Sequence, residues 1–549
     1  MRLKFISLVF LLITVHWHLQ AQTTKVPSRK DTLKGSIMEG RRWWDLKHYD
    51  LFVTPHVSQK SITGRNRISF ETVESVQNYS MQIDLQAPLV IDSAIFEQQS
   101  VSLQQEGDAW FIRLPTLKYK SDHVIDIYYS GTPKESTNPP WDGGISWTAD
   151  SLGRPWITLG AQLVGASVWF PCKEHQSDEP ERGASISIRV PDTLKAVGNG
   201  RMSSQIDNKD GTVTYKWTVV NPINNYGIAF YIGKYKEVPL LYKGIKGNLN
   251  TDYWVLDYNL DKVQSYLQVE VEKTLKTLEY WFGAYPFYED SFKMVETPYP
   301  GMEHQSAVAY GNGFKYGRIK INNLGFWDLK TDRLVVHEIA HEWFGNSITV
   351  NDITENWIHE GFAGFAEELF IENQYGKKAA KEFFEFRTIG KTKNLEPLIR
   401  RYGVFESGGS YMYLRGWKLV HMLRTIIDDD KQFRVILQAL SSQFYHKTVN
   451  SSDVEAFINK ASGKNLKPLF NQYLRNKEIP TFEYRLTGKK MYYRYNGCIL
   501  GFEMPIKTSF TNGKWLLPTM KWKSINLKGI PKSPLYLDTD FYVNVDRLK

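Results

Sequence analysis

The sequence predicts a multidomain α+β protein, and three changes of texture along its 549 residues carry that reading. From about Trp44 to Gly233, runs such as HYDLFVT, DHVIDIYYS and TVTYKWTVV alternate apolar and polar residues between Gly, Asn, Asp and Pro, the period of half-exposed strands. From about Leu241, VQSYLQVEVEKTLKTLEYWFG and TDRLVVHEIAHEWFG place apolar residues at helical spacing and end in Gly, a common helix stop. Alternation returns after Asn476 in FEYRLTG, KMYYRYNG, FEMPIKTSF and LYLDTDFYVNVD. The chain therefore divides into an N-terminal β domain over residues 22–240, a helix-dominated mixed domain over 241–476 and a small C-terminal β-sandwich over 477–549.

Residues 1–21 stand apart from this scheme. A basic start at Arg2 and Lys4, an apolar run from Phe5 to Val15 and a polar stretch ending in Ala21 form the layout of a cleavable secretory signal. The apolar run is shorter than the ~20 residues that span a bilayer. The expectation is export to the periplasm or the extracellular space, with no stable membrane span after cleavage.

Composition limits the remaining classes. Hydrophobic residues make up 42% and charged residues 23%, a globular balance rather than a disordered one. The two cysteines, Cys172 and Cys498, fall in different predicted domains, and a chain of this size needs no staples, so both are expected as free thiols. Residues 477–549 hold 13 Lys and Arg against 6 Asp and Glu, so the excess of a formal +9 charge sits at the C-terminus. In KWKSINLKGIPK the cations alternate with apolar residues, as on the solvent face of strands, and no nucleic-acid partner is expected.

The chemistry lies in HEIAHEWFGNSITVNDITENWIHEGFAGFAEE, residues 337–368. On a helix, His337 and His341 are one turn apart on one face and converge on a single metal, while Glu338 is rotated about 100° away, beside the metal's water. A catalytic zinc takes three protein ligands and keeps one open position, and Glu360 on the next helix completes a His2Glu set for one Zn2+ per chain. Glu367 lies two turns further along that helix, on the face from which a carboxylate accepts a hydrogen bond from a ligand imidazole.

HEIAHEWFGN followed by WIHEGFAGFAEE resembles the zinc signature of the gluzincin aminopeptidases, the family of aminopeptidase N and leukotriene hydrolase. The resemblance implies an N-terminal saddle-like β-sandwich and a thermolysin-like catalytic domain, here without the family's C-terminal helical domain. PYPGMEHQSAV is similar to the family's Gly-x-Met-Glu-Asn motif at Met302 and Glu303, with His304 in place of Asn and Pro300 in place of the first Gly. It implies that this segment pairs with substrate backbone and that Glu303 binds the free α-amino group. Tyr413, followed by Arg415 and Gly416, resembles the family's Tyr-x-Lys-Gly, which implies a hydroxyl donated to the oxyanion, with Tyr411 the rival if the register slips. Gln162, ahead of Pro171 and Cys172, stands where relatives place a substrate-contacting Gln or Glu.

Together these residues imply a zinc aminopeptidase acting on peptides with a free N-terminus, with Glu338 as general base. Three other readings share the motif: a thermolysin-type endopeptidase, a leukotriene-type epoxide hydrolase and a non-catalytic scaffold of the same fold.

Overall fold

The computed structural model describes residues 26–317, 324–388, 396–529 and 534–549, so the predicted signal segment lies outside the described residues. The N-terminal part is built from sheets alone apart from short helical turns. Its largest sheet has eight strands, and the strand Trp44–His56 at its centre pairs antiparallel with Ser61–Thr72 and parallel with Ala184–Pro191. The central strand buries nearly every second residue, as its alternation predicts. Sheets of four and three strands complete a core that includes Trp44, Ile68, Trp169, Phe170 and Phe230.

The chain then enters a five-stranded sheet, β1 (Tyr235–Gly244), β2 (Gly247–Leu256), β3 (Phe292–Glu296), β4 (Gly301–Met302) and β5 (Val308–Tyr310), in the order β1-β2-β3-β5-β4. This sheet begins at Tyr235, ahead of the predicted boundary at residue 241, because the β1–β2 hairpin pairs with β3 rather than with the N-terminal strands. The two-residue strand β4 is an edge, and an edge leaves backbone donors and acceptors free on one side. Met302 and Tyr299 belong to the apolar core of the N-terminal sheets, whereas Val308 and Tyr310 belong to that of the helices, so the edge is seated between two cores.

Around this sheet pack α1 (Gln268–Phe282), α2 (Arg333–Ala340), α3 (Trp357–Tyr375), α4 (Lys377–Thr388) and α5 (Tyr411–Ile427). The stop read at Gly283 holds for α1, and α3 likewise ends at Gly376, both at positive φ, whereas α2 ends at Ala340, short of the predicted stop at Gly345. Helix α3 buries every residue from Trp357 to Ile371, so it is the central helix of the layer. It crosses α5 at a glycine pair: a Cβ on Gly416 would lie 2.9 Å from the Gly361 Cα.

The C-terminal segment forms one four-stranded sheet, β6 (Thr481–Thr487), β7 (Lys490–Asn496), β8 (Lys523–Asn526) and β9 (Asn544–Arg547), in the order β8-β7-β6-β9. The second layer is irregular chain. FEMPIKTSF makes only isolated bridges, at Ile506 and Thr508, since Pro505 cannot donate to a ladder. Its side chains still pack, with Tyr495 and Phe502 rings 5.0 Å apart. Cys172 is a buried free thiol and Cys498 a half-buried one. Among the described residues no helix is long and apolar enough to cross a membrane.

Candidate active site

The short helix α2 carries the motif, and buried polar groups hold both of its ends. Asp332, immediately before α2, is fully buried and accepts from Tyr310 Oη at 2.8 Å, Tyr266 Oη at 3.0 Å and Asn312 Nδ2 at 3.0 Å. Burial pushes its carboxyl up to about 7 against the pull of those donors. Beyond the helix, Glu342 accepts from Tyr285 Oη at 2.7 Å and from the Ser306 backbone at 3.0 Å. Asn346 donates to the Glu303 carbonyl at 3.0 Å. The zinc-motif helix and the segment after β4 are thus tied together by two buried side chains.

Within that frame His337 and His341 present their rings 4.9 Å apart. The second nitrogen of each is already engaged: His337 Nδ1 with Glu367 Oε1 at 3.0 Å, His341 Nδ1 with the Phe344 carbonyl at 2.9 Å. This fixes both Nε2 atoms toward Glu360, whose Oε2 lies 3.3 Å from His337 Nε2 and 3.6 Å from His341 Nε2. Glu360 Oε2 is buried and accepts no hydrogen bond. Donors held about 2.0–2.1 Å from a tetrahedral zinc stand about 3.3–3.4 Å from one another, so both imidazoles stand off Glu360 Oε2 at about the spacing of ligands around one ion, with all three atoms within 4.8 Å of one another. Burial works against a His337 cation, yet the Glu360 and Glu367 carboxylates outweigh it and push its pKa up to about 10. Those carboxylates favour a positive charge between them, which is what a metal cation supplies. His359, next to Glu360, takes no part: its Nε2 accepts from the Val350 N–H at 3.0 Å.

Glu367 is itself anchored by Arg333, one turn before His337 on the same helix face. Burial alone would raise the Glu367 carboxyl, but the Arg333 guanidinium and His337 hold it down to about 2. Sequence reasoning passed over Arg333, although its position four residues before His337 was a readable signal.

A cavity of about 360 Å³ opens over this cluster, within the roughly 300–1,000 Å³ of ligand pockets. His337, Glu338, His341 and Glu360 line it together with Gln162, Pro300, Gly301, Met302, Glu303 and Tyr413. Tyr413 rather than Tyr411 reaches it. Carboxylate oxygens of Glu303 and Glu338 and a ring nitrogen of His341 all lie within 4.8 Å of one another. Gln162 bridges two of the acids, donating to Glu303 Oε1 at 2.5 Å and Glu360 Oε1 at 2.8 Å. Burial pushes the Glu303 carboxyl up, and the neighbouring Glu360 and Glu338 carboxylates push it further. His304, at the position of the family's Asn, is turned into the core, where Tyr231 Oη meets its Nδ1 at 2.6 Å. Trp141, half exposed, and the buried Trp417 also line the cavity, and no motif pointed to either.

A half-buried imidazole, a buried one and a buried carboxylate beside a cavity, with further acids along its wall, form the donor set of a catalytic metal site. Residues 266–473 match the Peptidase family M1 domain. The chain is 23% identical over 400 residues to Leucine aminopeptidase 2 of Vanderwaltozyma polyspora, covering 70% of this chain and 55% of that one. To Leukotriene A-4 hydrolase of Xenopus laevis it is 23% identical over 449 residues, covering 76% and 68%. It spans about half the length of several such relatives, 44% for Endoplasmic reticulum aminopeptidase 1 of Rattus norvegicus. Among solved structures, a mutant M1 zinc metallopeptidase of Deinococcus radiodurans bound to a Tyr-Ser-Ala substrate superposes with a TM-score of 0.68 at 21% identity, over 82% of this chain and 98% of that one. The likeness confirms the mixed α+β architecture.

Proposed function

We propose that the protein is a zinc aminopeptidase, with His337, His341 and Glu360 holding the ion. One observation carries the reading: the Glu303 carboxylate stands within 4.8 Å of both the Glu338 carboxylate and His341. An anion so close to the metal-ligand cluster leaves room for a single residue between a bound ammonium and the scissile bond.

When bound, zinc supplies a Lewis acid for the scissile carbonyl and lowers the pKa of a water toward ~7. Glu338 takes the proton of the attacking water and delivers it to the leaving amine. Tyr413 donates its hydroxyl to the oxygen that gains charge, an interaction worth a few kcal/mol in transition states of this kind. Burial, with the Glu360 and Glu303 carboxylates, pushes its phenol well up, so it remains an O–H donor at neutral pH. Glu303 accepts from the substrate's ammonium, and Gln162 holds that carboxylate in place. The unpaired side of edge strand β4 offers backbone groups to an extended peptide.

Replacing Glu338 by Gln is expected to leave one zinc per chain while kcat on a tripeptide falls ~10³-fold. Retained turnover would remove the general-base role. In the same assay N-acetylated tripeptides are expected to go uncleaved, and equal cleavage of free and acetylated forms would point to the endopeptidase instead.

We also propose that residues 1–21 are an export signal, supported by their basic start and short apolar run. Protein recovered from the periplasm or medium should then begin at Gln22, and an intact Met1 there would overturn the proposal.

A further inference from the structure

The C-terminal segment does more than cap the helices. Its last irregular stretch, residues 538–542, contacts two helices that line the cavity. Lys381 of α4 donates to Asp538 Oδ1 at 2.5 Å and lies 3.6 Å from Asp540 Oδ1. Thr539 Oγ1 donates to Glu385 of α4 at 2.6 Å. On α5, His421 Nε2 lies 3.3 Å from Asp540 Oδ1, and the Lys418 ammonium sits 4.1 Å over the Tyr542 ring.

From His421 the contacts continue inward. Its Nδ1 meets the Glu368 carboxylate at 2.8 and 3.0 Å, and Glu368 Oε2 accepts from Trp417 Nε1 at 2.8 Å. The His421 ring is stacked on Phe384 with centroids 3.8 Å apart, and Phe383 and Phe384 flank Trp417 at 5.6 and 5.7 Å. Trp417 lines the cavity, as do Leu414 and Tyr413 on the same helix and Arg387 at the end of α4. Both carboxylates that hold His421 come from outside its own helix, one from α3 and one from the C-terminal segment. Burial works against a charge on this imidazole, yet the Glu368 and Asp540 carboxylates push its pKa up to about 9, and a cation so placed ties its two partners together, because removing either leaves it less compensated.

We propose that Asp540 is a positioning residue of the active site, acting through His421, Glu368 and Trp417 to fix the cavity wall built by α4 and α5. This rests on the aminopeptidase reading above. Neither Asp540 nor His421 lines the cavity; the wall they steady is the one on which substrate residues rest. Loss of the contact loosens substrate binding more than it slows bond cleavage.

The test compares zinc-loaded native protein with Asp540→Asn, Asp540→Glu and His421→Gln on a free tripeptide. Asp540→Asn and His421→Gln are expected to raise KM about tenfold, the scale at which small misplacements act, with zinc content and kcat per zinc within about twofold of native. Asp540→Glu, which keeps the charge, is expected to restore most of the loss, and combining Asp540→Asn with His421→Gln should add little to either alone. A lowered Tm with unchanged KM, or no rescue by Asp540→Glu, overturns the proposal. Should Asp540→Asn not fold, Thr539→Val breaks the neighbouring contact at the rim and is read the same way. A native chain that releases no N-terminal residue would refute the aminopeptidase reading instead, and calorimetric binding of the uncleaved tripeptide would then carry the comparison.

Discussion

Gly301 has no side chain because the Glu338 carboxylate occupies the space. A Cβ built there would lie 2.6 Å from Glu338 Oε1 and 2.8 Å from its Cγ, closer than non-bonded atoms approach. Glycine at the tip of the edge strand thereby lets the proposed base stand against β4, next to the peptide backbone that this strand would pair with. Replacing Gly301 by Ala must push Glu338 or the strand aside by several tenths of an ångström. The expected result is a fall in kcat of about 10²-fold with zinc content unchanged, measured by steady-state kinetics beside metal analysis. Native kcat in that variant would show that the contact has no bearing on the base. The same residue shows what was readable beforehand. HEIAH and Glu360 announce a metal site because ligand spacing on helices is a local property. That Gly301 must be small is not local, since it depends on a side chain 37 positions along the chain.

At the scale of elements, two helices that each carry part of the site are set by one crossing. Helix α3 brings Glu360 and Glu367, α5 brings Tyr413, and they meet where Gly361 faces Gly416. A Cβ on Gly416 would also stand 3.1 Å from the Trp357 carbonyl, so the obstacle on both sides is backbone, which cannot swing away. Gly416→Ala is therefore expected to cost about 1–3 kcal/mol in overpacking, seen as a lowered Tm, and to reduce kcat by separating Tyr413 from the proposed ligands. An unchanged Tm would mean that the crossing has slack. The helices themselves were legible from their apolar spacing, with Gly376 marking the end of α3, whereas α5 ends at Asp428 in the left-handed region. Their crossing was not: Gly416 could be read only as part of a motif, and Gly361 only as a small residue after a ligand. The strand reading failed where it met proline, since FEMPIKTSF alternates as a strand does but Pro505 leaves it to pack as irregular chain.

On the scale of the molecule, the divisions seen in sequence texture do not match the divisions of the core. The N-terminal sheets enclose one apolar cluster, while a second runs without a break from Val271 and Leu275 on α1 through Met422 and Tyr473 to Phe482, Tyr493 and Phe502 of the C-terminal segment. Composition could not reveal this, because apolar alternation states that a strand has a buried face without naming what covers it. Polar contacts follow the same seam. Tyr473 Oη donates to the Tyr542 carbonyl at 2.6 Å, Trp515 Nε1 donates to Asp428 Oδ2 at the end of α5 at 3.2 Å, and Lys507 pairs with Asp428 Oδ1 at 3.1 Å. The basic C-terminal segment is therefore the second half of the helical core rather than an appended module. Ending the chain at Asn476 would strip Phe502 and Tyr542 from Tyr473 and Tyr542 from Met422, and a buried apolar side chain of this size is worth about 1.5–3 kcal/mol. Such a patch on a monomer drives association. The expected outcome is aggregated protein with little bound zinc, followed by light scattering and metal analysis. A soluble, zinc-loaded fragment with the native Tm would instead establish that the helices close their core alone, and that the cluster joining them to the C-terminal sheet adds no stability.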